Sequence, residues 1–343
     1  MTVLEVNTPP NLQPRAVEKA PRIEWVDAAK GIGIILVVVG HAIVGLRDGA
    51  LISPDSVLAI VLKLIYSFHM PLFFFLSGIF IAKRVASGAW AFSKSSTIKL
   101  GKAYLIWLPV QMLMLSLAGS LANKPFNGQV FDYVSILWEP KYNFWFIYAL
   151  LLMNIMSALV MPRLGAGIMI ASCLLLYSLA QWMKLPPMFW GICWFAPYYG
   201  LGIIFGLHPV KLNINRLTLI LAAILLTAIW LYLAYEIRQR GIALWALSTF
   251  GTAITGSMAT VLWIGGSGKA ISNLFAYLGR EALPIYLIHV MFVAGTRIAL
   301  HKILHVDNVY AILFFASVMG IAGPLVIKKI ADRLKISSQI GLA

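Results

Sequence analysis

Several ionisable residues lie inside or at the edges of long apolar runs: Lys30 and His41 in the first run, His69 in the second, and Arg280, Glu281 and His289 in the ninth. Such groups cost about 3 kcal/mol each at the centre of a bilayer unless they face protein or water, so they are functional candidates. The first run opens Asp27-Ala-Ala-Lys30-Gly31 and stays apolar to Gly40-His41. At about 1.5 Å per residue, His41 lies roughly 16 Å beyond Lys30, near mid-membrane. A turn of about 100° per residue sets Asp27, Lys30, Ile34 and His41 on one stripe, which joins the membrane edge to a buried imidazole. A structural account assigns Asp27 to an N-cap, Lys30 to snorkelling and His41 to an interhelical hydrogen bond.

The second run carries Tyr66-Ser67-Phe68-His69-Met70-Pro71 and then Phe73, Phe74 and Phe75. His69 is also near mid-depth, so two imidazoles on oppositely directed helices could meet and share a proton. Pro71 lacks a backbone donor and predicts a kink beside His69, which a structural role explains equally well. Lys99 and Lys102, three apart on a helical end, can address one anion together, or can serve orientation alone. Trp145, within Tyr142-Asn143-Phe144-Trp145-Phe146, suits an aromatic belt or stacking on a sugar. Arg280 and Glu281 sit at a membrane edge as a potential pair, and His289 lies about 12 Å further along the helix from Glu281. No nucleotide-binding loop, zinc-ligand spacing or Gly-x-Ser-x-Gly elbow occurs. His301 and His305 have the spacing of a metal pair but lack an intervening Glu and a third ligand, so no metal is expected.

These residues need helices that cross a membrane. Of 343 residues, 61% are hydrophobic and 11% charged, which is far from soluble composition and leaves no room for a folded soluble domain. The class expected is all-α, a polytopic membrane helical bundle with about ten transmembrane helices. The runs cover 28–46, 56–82, 103–122, 142–160, 166–183, 188–207, 217–235, 244–264, 273–295 and 308–327. The fifth and sixth are barely separated, by Pro186 and Pro187. The net charge of +15 is scattered between runs rather than gathered on one face, which points to membrane orientation and away from nucleic acid. With the N-terminus inside, 17 Lys and Arg fall on the inner side and 8 on the outer, while Lys63 and Arg280 fall within runs. Both termini are therefore expected in the cytoplasm. The first 20 residues carry no apolar h-region and read as a disordered tail. Cys173 and Cys193, inside apolar stretches, read as small core residues. No internal repeat suggests an inverted-repeat transporter.

Taken jointly, Asp27-Ala-Ala-Lys30-Gly31 to Gly40-His41, Phe68-His69-Met70-Pro71-Leu72-Phe73-Phe74 to Ser77-Gly78, Phe144-Trp145-Phe146, and Leu278-Gly279 to Ile285-Tyr286-Leu287-Ile288-His289 carry a resemblance. The chain resembles the acyltransferase-3 family of bacterial membrane acyltransferases, especially short members related to fucose 4-O-acetylases. The resemblance implies ten membrane helices in the bacterial inner membrane and a short acyl group, acetyl or succinyl, moved to a hydroxyl of an envelope or exported glycan. The donor is acyl-CoA, with acetyl-CoA the first choice, bound from the cytoplasm, and no cofactor is held permanently. Partners are the glycan or lipid-linked sugar, membrane lipids and a polysaccharide synthesis machinery. The domain layout is a disordered cytoplasmic tail over 1–21, a membrane acyltransferase domain over 22–330 and a cytoplasmic tail over 331–343. The family's basic residue, ten-residue gap and His map onto Lys30 and His41, and its Arg-x-x-Arg onto Lys99 and Lys102, with Lys where Arg is common.

On this resemblance His41 is the base that takes the proton of a sugar hydroxyl, with His69 or a hydroxyl from another helix orienting its ring. Arg22, Lys30, Lys99 and Lys102 hold the CoA phosphates, and Asp27, Trp145, Glu281 and His289 surround the acceptor. Two other classes stay open: a proton-coupled transporter or flippase of a lipid-linked sugar, and a non-catalytic partner of a polysaccharide synthase.

Overall fold

The computed structural model describes residues 23–123, 126, 128–183, 185–209, 214–242 and 249–343. Arg22 and the tail over 1–21 lie outside the described residues. Every regular element among the described residues is helical, and the protein is a helical membrane bundle.

The first helix, α1 (Glu24–Asp48), runs unbroken through the first apolar run and closes where the Gly49 amide donates to the Gly45 carbonyl. The second run is not one helix but three: α2 (Val57–Tyr66), α3 (His69–Gly78) and α4 (Ile81–Ala86). Ser56 caps α2 by accepting from the Ala59 amide at 3.2 Å. The chain leaves helical geometry at Phe68, just before His69. Pro71 then falls in the first turn of α3, where an amide needs no helical acceptor.

Next come α5 (Ala89–Ser96), a π-helical turn over Thr97–Gly101, α6 (Lys102–Ala118) and the short α7 (Val130–Ser135). The eighth, α8 (Trp145–Trp182), is interrupted at Gly165, whose φ of 83° and ψ of 169° are not helical. Its two limbs fold back on each other. On α9 (Pro187–Leu207), Gly191 abuts Trp145 and Ala149 whereas Gly200 abuts Cys173 and Ile170. Nine residues of α9 cover about 13 Å, but a straight α8 would separate residues 145 and 173 by about 42 Å. Chain reversal at Gly165 resolves the mismatch and makes the expected fourth and fifth runs separate helices, while the sixth opens anew as α9 at Pro187.

The remaining helices are α10 (Arg216–Gln239), α11 (Phe250–Gly266), α12 (Lys269–Arg280), α13 (Ala282–Arg297) and α14 (Val309–Arg333). Eight helical stretches among the described residues are long and apolar enough to cross a bilayer, one of them the 41-residue stretch that contains both limbs of α8. With those limbs separated, and with the 17 residues of α11 beside them, the described residues form ten back-and-forth segments.

The ninth run departs from the single helix expected over 273–295. It divides at Glu281, where φ is −95° and ψ is 14°. Packing against α1 is the cause. Gly279 meets the Asp27 carbonyl and Gly31 meets that of Phe275, so α12 runs antiparallel to α1 with backbones nearly touching; a Cβ at Gly279 would lie 1.7 Å from Asp27 O. By contrast α13 runs parallel to α1, with His289 beside His41 and Arg297 beside Gly45. A straight helix cannot do both.

A second close crossing joins α3 and α9, where a Cβ at Gly202 would meet the Phe75 carbonyl oxygen at 2.1 Å and one at Gly206 the Ile79 oxygen at 2.0 Å. Small residues spaced by four let membrane helices approach this closely. At the lipid-facing edge, α10 buries only Ala223 and Ile237 fully, as befits a helix apolar all round. The chain end over 334–343 turns back onto α6: Lys102 Nζ donates to the Ser338 carbonyl at 3.1 Å and Trp107 Nε1 to that of Ile340 at 2.8 Å. The described chain thus starts and ends on one face of the bundle, called here the near face.

Candidate active site

Two chambers open inside the bundle, one above the other along α1. The near chamber, about 850 Å³, is walled by Lys30 and Ile34 of α1, Phe73 and Ser77 of α3, Arg84 of α4, Lys99 of the π-helical turn, Asn154 of α8 and Arg280. The far chamber, about 270 Å³, is walled by Val37 and His41 of α1, His69, Asn143, Trp145, Trp190 and Tyr198. Tyr286 of α13 lines both. Phe73, Phe146 and Tyr286 form the partition, with ring centroids 5.7 Å apart for the first two and 5.5 Å for the last two.

The near chamber is electropositive by composition. Lys30, Arg84, Lys99 and Arg280 are its charged members, and no carboxylate stands among its described lining residues. Lys30 Nζ and the Arg84 guanidinium each lie 5.8 Å from the centre of the Phe80 ring. That aromatic face draws the two cations together despite their repulsion. The floor is rigid: Tyr199 donates to Asn154 Oδ1 at 3.1 Å and its hydroxyl meets Ser157 Oγ at 3.0 Å, tying α9 to the first limb of α8.

At the far chamber, each histidine is oriented by a carbonyl one turn earlier in the chain. His41 Nδ1 donates to the Val37 oxygen at 2.9 Å, and His69 Nδ1 to the Ile65 oxygen at 2.8 Å, just before the break between α2 and α3. With Nδ1 carrying the proton, Nε2 of each ring keeps its lone pair. His289 of α13, fully buried, donates from Nδ1 to the Tyr286 carbonyl at 2.8 Å and presents Nε2 to His41 Nδ1 at 3.3 Å. The second acceptor for His41 is therefore His289, where the sequence suggested His69 or a hydroxyl.

Asn143 is held with similar care. Its Oδ1 accepts from Gln111 Nε2 at 3.1 Å, and its carbonyl accepts from the Tyr286 hydroxyl. Its Nδ2 is buried with no protein acceptor. Trp145 stacks on Phe195 at 5.1 Å and, with Trp190 and Tyr198, gives the chamber a wall of flat rings.

Of the residues singled out in the sequence, His41, His69 and Trp145 meet in the far chamber, and Lys30 and Lys99 meet in the near one. His289 stands behind His41 rather than on the chamber wall. Lys102 does not join Lys99: the π-helical turn over Thr97–Gly101 widens the spacing, and Lys102 reaches the chain end instead. Asp27 and Glu281 are half-buried at the α1–α12 crossing, outside both described linings, and no ion pair joins Glu281 to Arg280 among the described residues. Arg22 lies outside the described residues.

Arg84, Asn143, Gln111 and Tyr286 were not singled out. Tyr286 carried a signal, being three residues before His289 on the same helical face. Arg84 was indistinguishable from other cations that follow a membrane span, and Asn143 from other polar residues near an interface.

A family model described as an acyltransferase domain matches residues 23–327, from the start of α1 into α14. No curated protein and no solved structure matches the chain.

Proposed function

Because this chain belongs to the acyltransferase-3 family of membrane acyltransferases, we propose that it moves a short acyl group, acetyl or succinyl, from acyl-CoA in the near chamber to a glycan hydroxyl in the far one. The observation that carries this reading is the pair of chambers meeting at Tyr286, four cations lining one and two histidines the other. The near face is cytoplasmic, both termini lie there, and the membrane is the bacterial inner membrane. Positive charge concentrated on that side and the cellular location of CoA both support this assignment.

The CoA phosphates bind Lys30, Arg84, Lys99 and Arg280, where charge-assisted bonds offset the loss of hydration. An extended pantetheine arm covers a distance similar to the roughly 16 Å from Lys30 to His41, so the thioester reaches the partition. The acceptor sugar lies against Trp145. His41 Nε2 takes the hydroxyl proton as the oxygen attacks the thioester carbon. His289 and the Val37 carbonyl stabilise the imidazolium that results, since its Nδ1–H already points at them. Asn143 Nδ2 donates to the developing oxyanion. Collapse of the tetrahedral intermediate breaks the C–S bond, and the proton held on His41 passes to the CoA thiolate. The products are an ester and free CoA.

Mass spectrometry of envelope glycans and secreted polysaccharide from cells lacking the protein tests this. Wild type restores an ester-linked acyl mass, and His41→Ala at equal membrane abundance does not. Equal restoration by both removes His41 from the chemistry. A change in glycan export with no ester difference replaces the transferase with a transporter.

A further inference from the structure

A third cavity, about 430 Å³, lies toward the far face between α2 and α10, lined by Ile60, Lys63, Leu64, Leu231, Arg238 and Thr252. We infer that this cavity holds the phosphate of a lipid-linked glycan, so that the acceptor reaches the far chamber sideways from the bilayer. The inference rests on the transferase reading and names the class of its acceptor.

Three features carry it. The first is charge. Lys63 falls within a membrane span, where an ammonium is costly and calls for an anionic or aqueous neighbour. Neither it nor Arg238 makes an ion pair among the described residues, and the nearby Glu236 carboxylate is taken by Arg240 at 2.9 Å. The two cations share one cavity with the hydroxyl of Thr252, which is 1% exposed and has no hydrogen-bond partner. Burying an unpartnered hydroxyl is unfavourable unless a ligand supplies the missing bond.

The second feature is the surrounding surface. Leu231, Tyr232 and Tyr235 of α10 are 45–62% exposed on a helix apolar all round, so the cavity faces hydrocarbon and an acyl or isoprenoid chain can lie beside it. The third is connection. Ser67 lines both this cavity and the far chamber, and it lies four residues, about one helical turn, after Lys63 and two before His69. Its Oγ accepts from Trp230 Nε1 at 2.9 Å, which fixes the boundary between the two spaces. A molecule with a hydrocarbon tail, a phosphate and a short saccharide meets all three in order: lipid, paired cations, aromatic chamber. An ordinary phospholipid meets the first two only.

Detergent-purified protein is offered three probes in native mass spectrometry: a polyprenyl phosphate, the polyprenol of the same length, and phosphatidylglycerol. Wild type retains the polyprenyl phosphate in preference to both others. Lys63→Gln/Arg238→Gln weakens that retention by about tenfold or more, the scale of lost charge-assisted contacts, whereas Lys63→Arg/Arg238→Lys keeps it. Arg238→Gln alone, at an exposed helix end, gives an intermediate loss and guards against misfolding of the double variant. Equal retention of phosphatidylglycerol, or unchanged retention by the Gln variants, overturns the inference. No acyl donor is present, so the outcome is separate from transfer: protein that holds the polyprenyl phosphate but never acylates a glycan keeps this site and loses the transferase reading.

Discussion

His41 and His289, 248 residues apart in the chain, stand with Nδ1 of the first 3.3 Å from Nε2 of the second. His289 spends its own Nδ1 proton on the Tyr286 carbonyl, which makes its Nε2 an acceptor. A base working from Nε2 of His41 gains from such a partner, because the positive charge of the imidazolium is spread toward an acceptor already in position. On the proposed mechanism His289 acts as a positioning residue.

His289→Phe fills the space but offers no acceptor, and is expected to lower kcat by about tenfold to hundredfold, a fraction of the 10²–10⁴ that a general base supplies. KM for acyl-CoA should hold. His289→Gln, whose amide oxygen can accept from His41, should recover most of the loss. Steady-state kinetics in liposomes distinguish the two, and equal losses in both variants would reduce His289 to packing.

The near-chamber cations predict a donor-specific effect. Arg84→Gln and Lys30→Gln should each raise KM for acyl-CoA about tenfold, the worth of one charge-assisted contact to phosphate. Acyl-pantetheine, which lacks the nucleotide phosphates, should be turned over equally by wild type and variants. Lys102→Gln, whose ammonium is 3.1 Å from the Ser338 carbonyl, should leave KM for acyl-CoA within about twofold of wild type, since it removes no phosphate contact.

Asn143 predicts a loss confined to the chemical step. Asn143→Ala removes a donor whose Nδ2 has no protein acceptor, and kcat should fall about 10²–10³-fold, as for oxyanion-hole donors elsewhere. Binding of acyl-CoA, read by isothermal titration with a non-hydrolysable thioether analogue, should not change. A loss of affinity in place of rate would assign Asn143 to donor binding.

Folding is sensitive at the α3–α9 crossing. Gly202→Val puts a Cβ where only 2.1 Å separates it from the Phe75 oxygen, so the helices must part. The cost should exceed the roughly 1–3 kcal/mol of ordinary overpacking. A lower midpoint of thermal unfolding measures it. Gly167→Ala, where nothing lies within 4 Å, is the neutral control.

Much of the fold was legible in the sequence because hydropathy is local. An apolar run of about 20 residues has few alternatives to a membrane helix, so the order and approximate number of the segments followed from the runs. The same local cost of burying charge drew attention to Lys30, His41, His69 and His289. Where local rules met a packing constraint they failed. The ninth run contains no proline before Pro284 to announce a break at Glu281; Gly279 and Gly31 impose it by bringing α12 and α1 into backbone contact. The Lys99 and Lys102 spacing presumed a regular α-helix, and a π-helical turn separated them.

By itself, then, the sequence determined a membrane bundle of about ten helices and a short set of buried ionisable groups, because both follow from the price of polar atoms in hydrocarbon at each position. The tertiary structure alone decided which of those groups meet: Lys30 and His41 on one stripe of α1 but in different chambers, His289 rather than His69 against His41, and Asn143 turned by Gln111. Such pairings depend on how helices distant in the chain rotate and cross, and that is set by glycine contacts and ring packing summed over the whole bundle, which no local pattern encodes.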